Sequence, residues 1–250
     1  DRPWMAGPYE GATVLPTVPC YIHKTYDDDK YDICVTNDFA SLYPSIIRSV
    51  NLSPEMLIKD VSEETTLPPA LQPHVREIKM AEIYDPLVRH TYRVVQNRDD
   101  GDEYAGLMPR MVAYLLNERK ACKKRMKQHP KDSEEYFILD ITQNVLKVVA
   151  NSLYGSLGAI NQYGALSNRV LARLVTFFGR SMIELARDVF LTFPNTSIVA
   201  GDTDSVMVLL KHATMAEAEA LGKSAAQLVN QRPVTYALHG RKHLCWQRER

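Results

Sequence analysis

From Pro109 to Tyr154 the chain runs without a glycine, and its one interior proline, Pro130, falls near the middle of that stretch. Proline pushes the residue before it, here His129, out of the helical region. The pattern therefore predicts one helix from Pro109 to about Gln128 and a second from about Ser133 to Tyr154, with Gly155 as its stop. Two long helices joined by a short polar turn form an antiparallel hairpin. The rest of the fold has to be built around that insertion.

On either side of it the signals change to those of strands. Tyr31–Asp38 is β-branched and alternating, and Ser41-Leu42-Tyr43-Pro44 then turns into a short helix, since Pro44 is tolerated in a first turn. After the hairpin, a helix is expected over Arg169–Phe190, with Val170, Leu174, Phe177, Phe178, Met182 and Leu185 at helical spacing. Ser197–Ala200 and Val206–Leu210 flank Gly201-Asp202-Thr203-Asp204, a β-hairpin with acids at its turn. Residues 52–107 carry prolines and read as irregular, with one strand over Thr91–Val95. The first 25 residues read as an extended entry segment. The expected class is α+β: an antiparallel sheet with helices, interrupted by a two-helix hairpin.

Composition excludes more than it identifies. A hydrophobic share of 45% with 24% charged residues is that of an ordinary globular protein. No apolar run approaches the roughly 20 residues of a membrane span, so no membrane partner is expected. Cys20, Cys34, Cys122 and Cys245 form no CxxC pair and read as free thiols of a reducing, intracellular compartment. Net charge is zero, yet Asn117–Lys131 holds seven basic residues against one acid. Such a patch serves polyanions or is simply a solvated helix face.

The carboxylates carry the first chemistry. Asp38 ends a strand, while Asp202 and Asp204 sit at the hairpin turn. If the first strand lies beside the hairpin, three carboxylates converge at one sheet edge. Hard divalent cations such as Mg²⁺ prefer such ligands, completed by water and substrate phosphates. Two of these ions can activate a hydroxyl and stabilise a leaving oxygen. Taken alone, either motif is equally a tight turn or a strand end. The basic residues carry the second chemistry. Arg119 and Lys123 share one face of the first hairpin helix, as Lys147 and Asn151 do on the second. Packed together they form a cationic strip suited to a triphosphate. Tyr154 lies near the same face, as a packing aromatic or as a platform for a base or sugar.

Asp38-Phe39-Ala40-Ser41-Leu42-Tyr43-Pro44-Ser45-Ile46-Ile47 resembles motif A of the family B DNA polymerases. Lys147-Val148-Val149-Ala150-Asn151-Ser152-Leu153-Tyr154-Gly155 resembles motif B. Gly201-Asp202-Thr203-Asp204-Ser205 resembles motif C, with Ala200 where the family usually has tyrosine. Tyr9-Glu10-Gly11-Ala12-Thr13-Val14, the Leu115-Leu116 helix with Arg119 and Lys123, and Phe178-Gly179-Arg180-Ser181-Met182-Ile183 resemble further family stretches. All follow family order.

The resemblance implies a polymerase palm over residues 1–108 and 156–250, and fingers over 109–155. It implies a DNA-directed DNA polymerase, a nucleotidyltransferase that adds dNTPs to a primer 3′-hydroxyl in DNA replication. Asp38 and Asp204 would be metal ligands for two Mg²⁺ ions (Mn²⁺ as the alternative), joined by the Phe39 carbonyl and supported by Asp202. Amides near Ser41 and Leu42 would hold triphosphate oxygens. Tyr43 would lie beneath the sugar, and Arg119, Lys123, Lys147 and Asn151 would grip the triphosphate. Template–primer DNA and dNTPs would be partners, with a processivity factor engaged through parts outside this stretch. The site of action would be the nucleus or a viral replication site. No exonuclease signature and no thumb are recognisable, so those domains are expected to be absent here. Rival readings are an inactive nucleotide- or DNA-binding fragment, and a palm-type RNA polymerase or reverse transcriptase. The tail from Gln231 aligns with nothing in the family. His239, His243 and Cys245 there suggest a metal site only weakly against a disordered basic tail.

Overall fold

Along the chain the elements are β1 (Val14–Leu15), β2 (Tyr31–Phe39), α1 (Leu42–Ser49), β3 (Leu57–Ile58), β4 (Val75–Ala81), β5 (Arg89–Val95), α2 (Leu107–Met126), α3 (Glu134–Gly158), α4 (Arg169–Phe190), β6 (Thr196–Asp202), β7 (Ser205–Ala213), α5 (Met215–Gln231) and β8 (Trp246–Arg248). They come from a computed structural model that describes residues 10–22, 26, 29–58, 67–81, 89–96, 104–158, 167–231 and 246–248. The chain divides into two units, one built on Tyr43–Val175 and the other on Glu10–Leu42 with Thr176–Arg250.

The second unit holds a five-stranded antiparallel sheet in the order β1-β6-β7-β2-β8. In β2 the residues Asp32, Val35, Asn37 and Phe39 are buried. Val35 and Asn37 face the same way as their partners Val208 and Val206 on β7. The helix α5 packs on β2, and the Asn37 amide donates to the Gly222 carbonyl within α5 at 3.1 Å. The opposite face carries Cys34, Thr36 and Asp38 with Met207 and Ser205, and is more open, since Cys34 and Met207 are exposed.

Sequence signals for α5 were present and missed. Thr214 and Glu217 form a reciprocal capping box: the Thr214 amide donates to Glu217 Oε2 at 2.7 Å, and the Glu217 amide to Thr214 Oγ1 at 3.3 Å. Ala218, Leu221, Gly222, Ala225 and Val229 then form the buried stripe. Three residues of the supposed disordered tail, Trp246–Arg248, pair with β2 as β8. His239, His243 and Cys245 lie outside the described residues, as do residues 1–9 and 23–25 of the entry segment.

In the first unit, α2 and α3 form the expected hairpin, with Cys122, Met126 and Leu139 buried between Tyr136 and Leu146. Ser133 caps α3, its hydroxyl accepting the Tyr136 amide at 3.1 Å, and Glu134 and Glu135 suit the positive helix start. The helix does not stop at Gly155 but continues to Gly158. Ala150, Leu153 and Leu157 are all buried, so the apolar stripe continues across the glycine. Burial of Leu157 outweighs the roughly 1 kcal/mol that glycine costs inside a helix.

Residues 52–107 are more ordered than expected, because β3, β5 and β4 make a second sheet in that order. Thr91–Val95 is a strand, as anticipated. The partner β4 escaped notice because it lacks apolar alternation; among its described side chains only Ile78 is buried. Its ladder to β5 and the exposed Glu77–Arg93 ion pair at 2.8 Å carry it instead.

The start of α2 is capped from a distance. Asn51, in left-handed backbone conformation (φ 57°), accepts the Gly106 amide at 2.8 Å and donates to the Val95 and Tyr104 carbonyls. Ser53 Oγ accepts the Met108 amide at 3.2 Å, and Glu55 Oε1 accepts that of Leu107. Together these meet three of the donors that a helix start leaves unpaired. Gly106 is required there, since a β-carbon would lie 2.6 Å from that of Ser53.

Candidate active site

The acids are placed by register. Asp38 of β2 and Asp202 of β6 both pair with Ser205 of β7, one from each side. Direct cross-strand partners share a sheet face, so Asp38, Ser205 and Asp202 form a row on the more open face. Two strand spacings separate the aspartates, about 10 Å between backbones. A register irregularity between Ile198 and Ala200 sits two residues before Asp202. The extra residue, Val199, accepts the Val18 amide at 2.8 Å. Bulges of this kind re-aim the side chains beyond them.

The Thr203-Asp204 turn is fastened on three sides. Thr203 has a left-handed backbone (φ 51°), and its amide donates to the Thr13 carbonyl at 3.1 Å. The Asp204 carbonyl accepts the Phe39 amide at 2.7 Å, which ties the turn to the strand end after Asp38. The Thr203 hydroxyl donates to Asp202 Oδ1 at 2.8 Å. Gly201 admits Leu15 of β1: a β-carbon there would meet Leu15 Cδ1 at 2.7 Å and the Ser205 carbonyl at 3.1 Å.

The expected convergence of three carboxylates is corrected in one respect. Among the described residues, no group of three or more His, Cys, Asp or Glu side chains is gathered as a metal cluster. The spread of the row explains this, as does the Thr203 hydroxyl that holds Asp202. The oxygen donors still fit Mg²⁺, which is normally held by one or two carboxylates plus substrate phosphates rather than by a closed protein cage.

After Phe39, whose ring is buried, the chain turns at Ser41, another non-glycine residue in left-handed conformation (φ 51°), and Leu42 begins α1. The amides of a helix start point outward and favour anions. Left-handed backbone at a non-glycine residue is strained and persists where surrounding structure enforces it.

In the other unit Arg119 and Lys123 lie on α2 and Lys147 on α3, the two packed helices of the hairpin. Burial lowers the Lys123 ammonium below the ordinary lysine value, and the Arg119 and Lys147 charges lower it further, against an opposing effect of Asp140. Lys123 on α2 therefore feels Lys147 across the hairpin. Burial also lowers Arg119. Sequence reasoning missed the residues that orient this strip. Arg119 Nε donates to Gln143 Oε1 at 3.2 Å, and Gln143 Nε2 donates to Asp140 Oδ1 at 3.0 Å. Asp140, Gln143, Lys147, Asn151 and Tyr154 follow one another at three- and four-residue steps along α3, a spacing that could have revealed them. At the end of that stripe, the Tyr154 ring meets the Tyr43 ring with centroids 4.4 Å apart and planes tilted by 44°. The two tyrosines singled out from distant stretches thus form one aromatic pair.

Among the described residues no helix is long and apolar enough to cross a membrane. Cys20, Cys34 and Cys122 are free thiols.

Comparison with known proteins gives a consistent answer. The family model described as DNA polymerase family B matches residues 3–238. A DNA polymerase of Paramecium bursaria Chlorella virus NY2A is 36% identical over 84% of this chain and 21% of its own length. The DNA polymerase delta catalytic subunit of Arabidopsis thaliana is 35% identical over 90% of this chain and 19% of its own. The solved family B DNA polymerase of Pyrobaculum calidifontis is similar with a TM-score of 0.57 and 28% identity, over 90% of this chain and 24% of that one. The chain thus spans about a fifth of the length of the curated relatives it matches.

Proposed function

This chain belongs to DNA polymerase family B, and from that premise we propose that it carries the palm and fingers of a DNA-directed DNA polymerase. The proposed reaction is template-directed addition of dNTPs to a primer 3′-hydroxyl during replication. The 3′-oxygen attacks the α-phosphorus, the bond to the bridging oxygen breaks, pyrophosphate leaves, and the hydroxyl proton passes to solvent. The observation that carries the reading is the row of Asp38 and Asp202 about Ser205, with Asp204 in the adjoining turn. Two Mg²⁺ ions (or Mn²⁺) bound there would polarise the attacking and leaving oxygens.

The residues of the chain then have distinct tasks. Asp38, Asp204 and the Phe39 carbonyl offer oxygen ligands, with Asp202 in support. Amides at Ser41 and Leu42 meet triphosphate oxygens. Arg119, Lys123, Lys147 and Asn151 grip the triphosphate and offset charge that grows on the leaving pyrophosphate. The like charges of Arg119 and Lys147 beside Lys123 support this role, because such a group gains from an anion that relieves the repulsion. Tyr43, braced by Tyr154, lies under the sugar and excludes a 2′-hydroxyl by a clash built against the wrong substrate. The proposed partners are template–primer DNA, dNTPs and, through other parts of the polypeptide, a processivity factor. The proposed setting is a nucleus or a viral replication site.

Primer extension by the intact polypeptide tests the reading. Asp204→Ala or Asp38→Ala should slow incorporation on the order of a thousandfold or more, and near-normal extension by Asp204→Ala in Mg²⁺ would sink the metal assignment. In the same assay Tyr43→Ala should raise ribonucleotide relative to deoxyribonucleotide incorporation, while Tyr43→Phe should leave the ratio near that of the parent. An unchanged ratio in Tyr43→Ala removes Tyr43 from the sugar site.

A further inference from the structure

The turn that carries Asp202 and Asp204 is held by β1, and β1 is held by a buried ion pair in the same unit. Arg180, on the Phe178-Gly179-Arg180 stretch of α4, is 6% exposed, and Glu10 is 8% exposed. Arg180 Nη2 meets Glu10 Oε2 at 3.0 Å. Its Nη1 donates to the main-chain carbonyls of Glu10 at 3.2 Å and Gly11 at 2.7 Å. The fully buried Thr176, one helical turn earlier, adds its hydroxyl to the Glu10 carbonyl at 2.7 Å. One helix face thus grasps both the side chain and the backbone of Glu10–Gly11.

Only two residues later the same segment reaches the acid turn. The Thr13 carbonyl accepts the Thr203 amide, Val14 pairs with Asp202, and Leu15 pairs with Gly201, where no β-carbon stands in its way. β1 is two residues long and is the edge strand of its sheet. So short a strand supplies little pairing of its own and depends on its anchor for position.

We propose that Arg180 and Glu10, with Thr176, are positioning residues that hold the Asp202-Thr203-Asp204 turn in its working geometry through Thr13–Leu15. The inference rests on the proposed role of those aspartates as metal ligands. None of the three clamp residues is placed against substrate. A buried ion pair adds little net stability over apolar residues of like size, but it fixes geometry when all its hydrogen bonds are met. Here the guanidinium fork is committed to one carboxylate and two carbonyls, an arrangement lysine cannot reproduce.

Two measurements on the intact polypeptide test this. The first is hydrogen exchange of the Thr203 amide, whose acceptor is Thr13. The variants are Thr176→Val, which removes one hydrogen bond at nearly constant volume, and the paired change Glu10→Gln with Arg180→Met, which leaves no buried charge behind. Thr203 should exchange faster by a few-fold in Thr176→Val and by roughly tenfold or more in the paired variant, while the Val206–Leu210 amides keep their protection. The second measurement is the Mg²⁺ concentration for half-maximal primer extension, which should rise in the same order with dNTP affinity little changed. Unchanged Thr203 exchange in a folded paired variant overturns the proposal. So does a uniform loss of protection across β6 and β7, which would make the ion pair a general stabiliser. Loosened exchange with an unaltered Mg²⁺ requirement overturns it as well, by severing the clamp from the metal. Failure of the metal reading itself shows separately, as extension that survives Asp204→Ala.

Discussion

The acid row and the cationic strip are positioned by different kinds of structure. Asp38 and Asp202 are fixed by backbone register, each paired with Ser205 across a strand, and Asp204 by its carbonyl on the Phe39 amide. Arg119, Lys123 and Lys147 are placed by helix periodicity on two packed helices, at the ends of long side chains. Carboxylate side chains are short, so a metal site built from them depends on the backbone to within a fraction of an ångström. Lysine and arginine reach further and adapt, which would suit the proposed grip on a triphosphate. The sheet unit is therefore expected to be sensitive to small backbone intrusions, and the helical unit to loss of charge.

Of the variants that probe how the two regions are framed, Gly201→Ala should have the largest effect. Its β-carbon would press on Leu15 and the Ser205 carbonyl, both parts of the frame around the acids. Overpacking of this kind costs about 1–3 kcal/mol, measurable by urea unfolding, and incorporation should fall well beyond what the lost stability explains. Lys147→Ala is its counterpart. Lys147 is exposed and repels Lys123, so unfolding free energy should change by no more than about 0.5 kcal/mol. Incorporation should nevertheless slow by on the order of tenfold, as loss of a charge-assisted contact to phosphate implies. If Gly201→Ala were silent in both measurements, or Lys147→Ala lost stability and not rate, the contrast between the regions would be broken.

Much of this was legible in the sequence, and the misses have physical causes. The hairpin of α2 and α3, the strand ending in Asp38 and the acid turn were readable because their periodicity coincides with their burial. Gly155 misled because local propensity points to a stop, whereas Leu153 and Leu157 give tertiary reasons to continue. β4 was hidden because a strand stabilised by its ladder and a surface ion pair has no apolar alternation to show. The Thr214 capping box was legible and overlooked. In the site, residue identities came from the motifs, but the Gln143–Arg119 link and the Arg180–Glu10 clamp join residues 24 and 170 positions apart. No local pattern announces such pairs. The row geometry about Ser205 likewise needed the register, because one residue of slip would turn Asp38 to the face covered by α5.

The smallest expected effect concerns how each region is fastened at its entrance. The α2 start relies on side chains, and one of them, Glu55, titrates. Burial by itself would raise the Glu55 carboxyl, but the Leu107 amide, the Ser53 hydroxyl and the Arg110 charge outweigh it and leave the group below the ordinary glutamate value. A carboxyl whose value is lower when folded adds stability at pH values above its unfolded value. That contribution fades as pH falls through the lower, folded value. Because Glu55 is exposed and solvent screens its charge, Glu55→Gln should therefore cost no more than about 0.5 kcal/mol near neutral pH. The difference from the parent should shrink to nothing in acid, below the usual carboxylate range. By contrast the Thr203 turn is joined to Thr13 and Phe39 through main-chain groups that do not titrate. Urea unfolding of parent and Glu55→Gln across a pH series provides the measurement, with the Leu107 amide shift as a local reporter. In the parent, the Leu107 shift should move with the Glu55 titration, and in Glu55→Gln that movement should be lost. A stability gap that stayed constant into acid would mean that Glu55 acts at the α2 start by its shape alone, not by its charge.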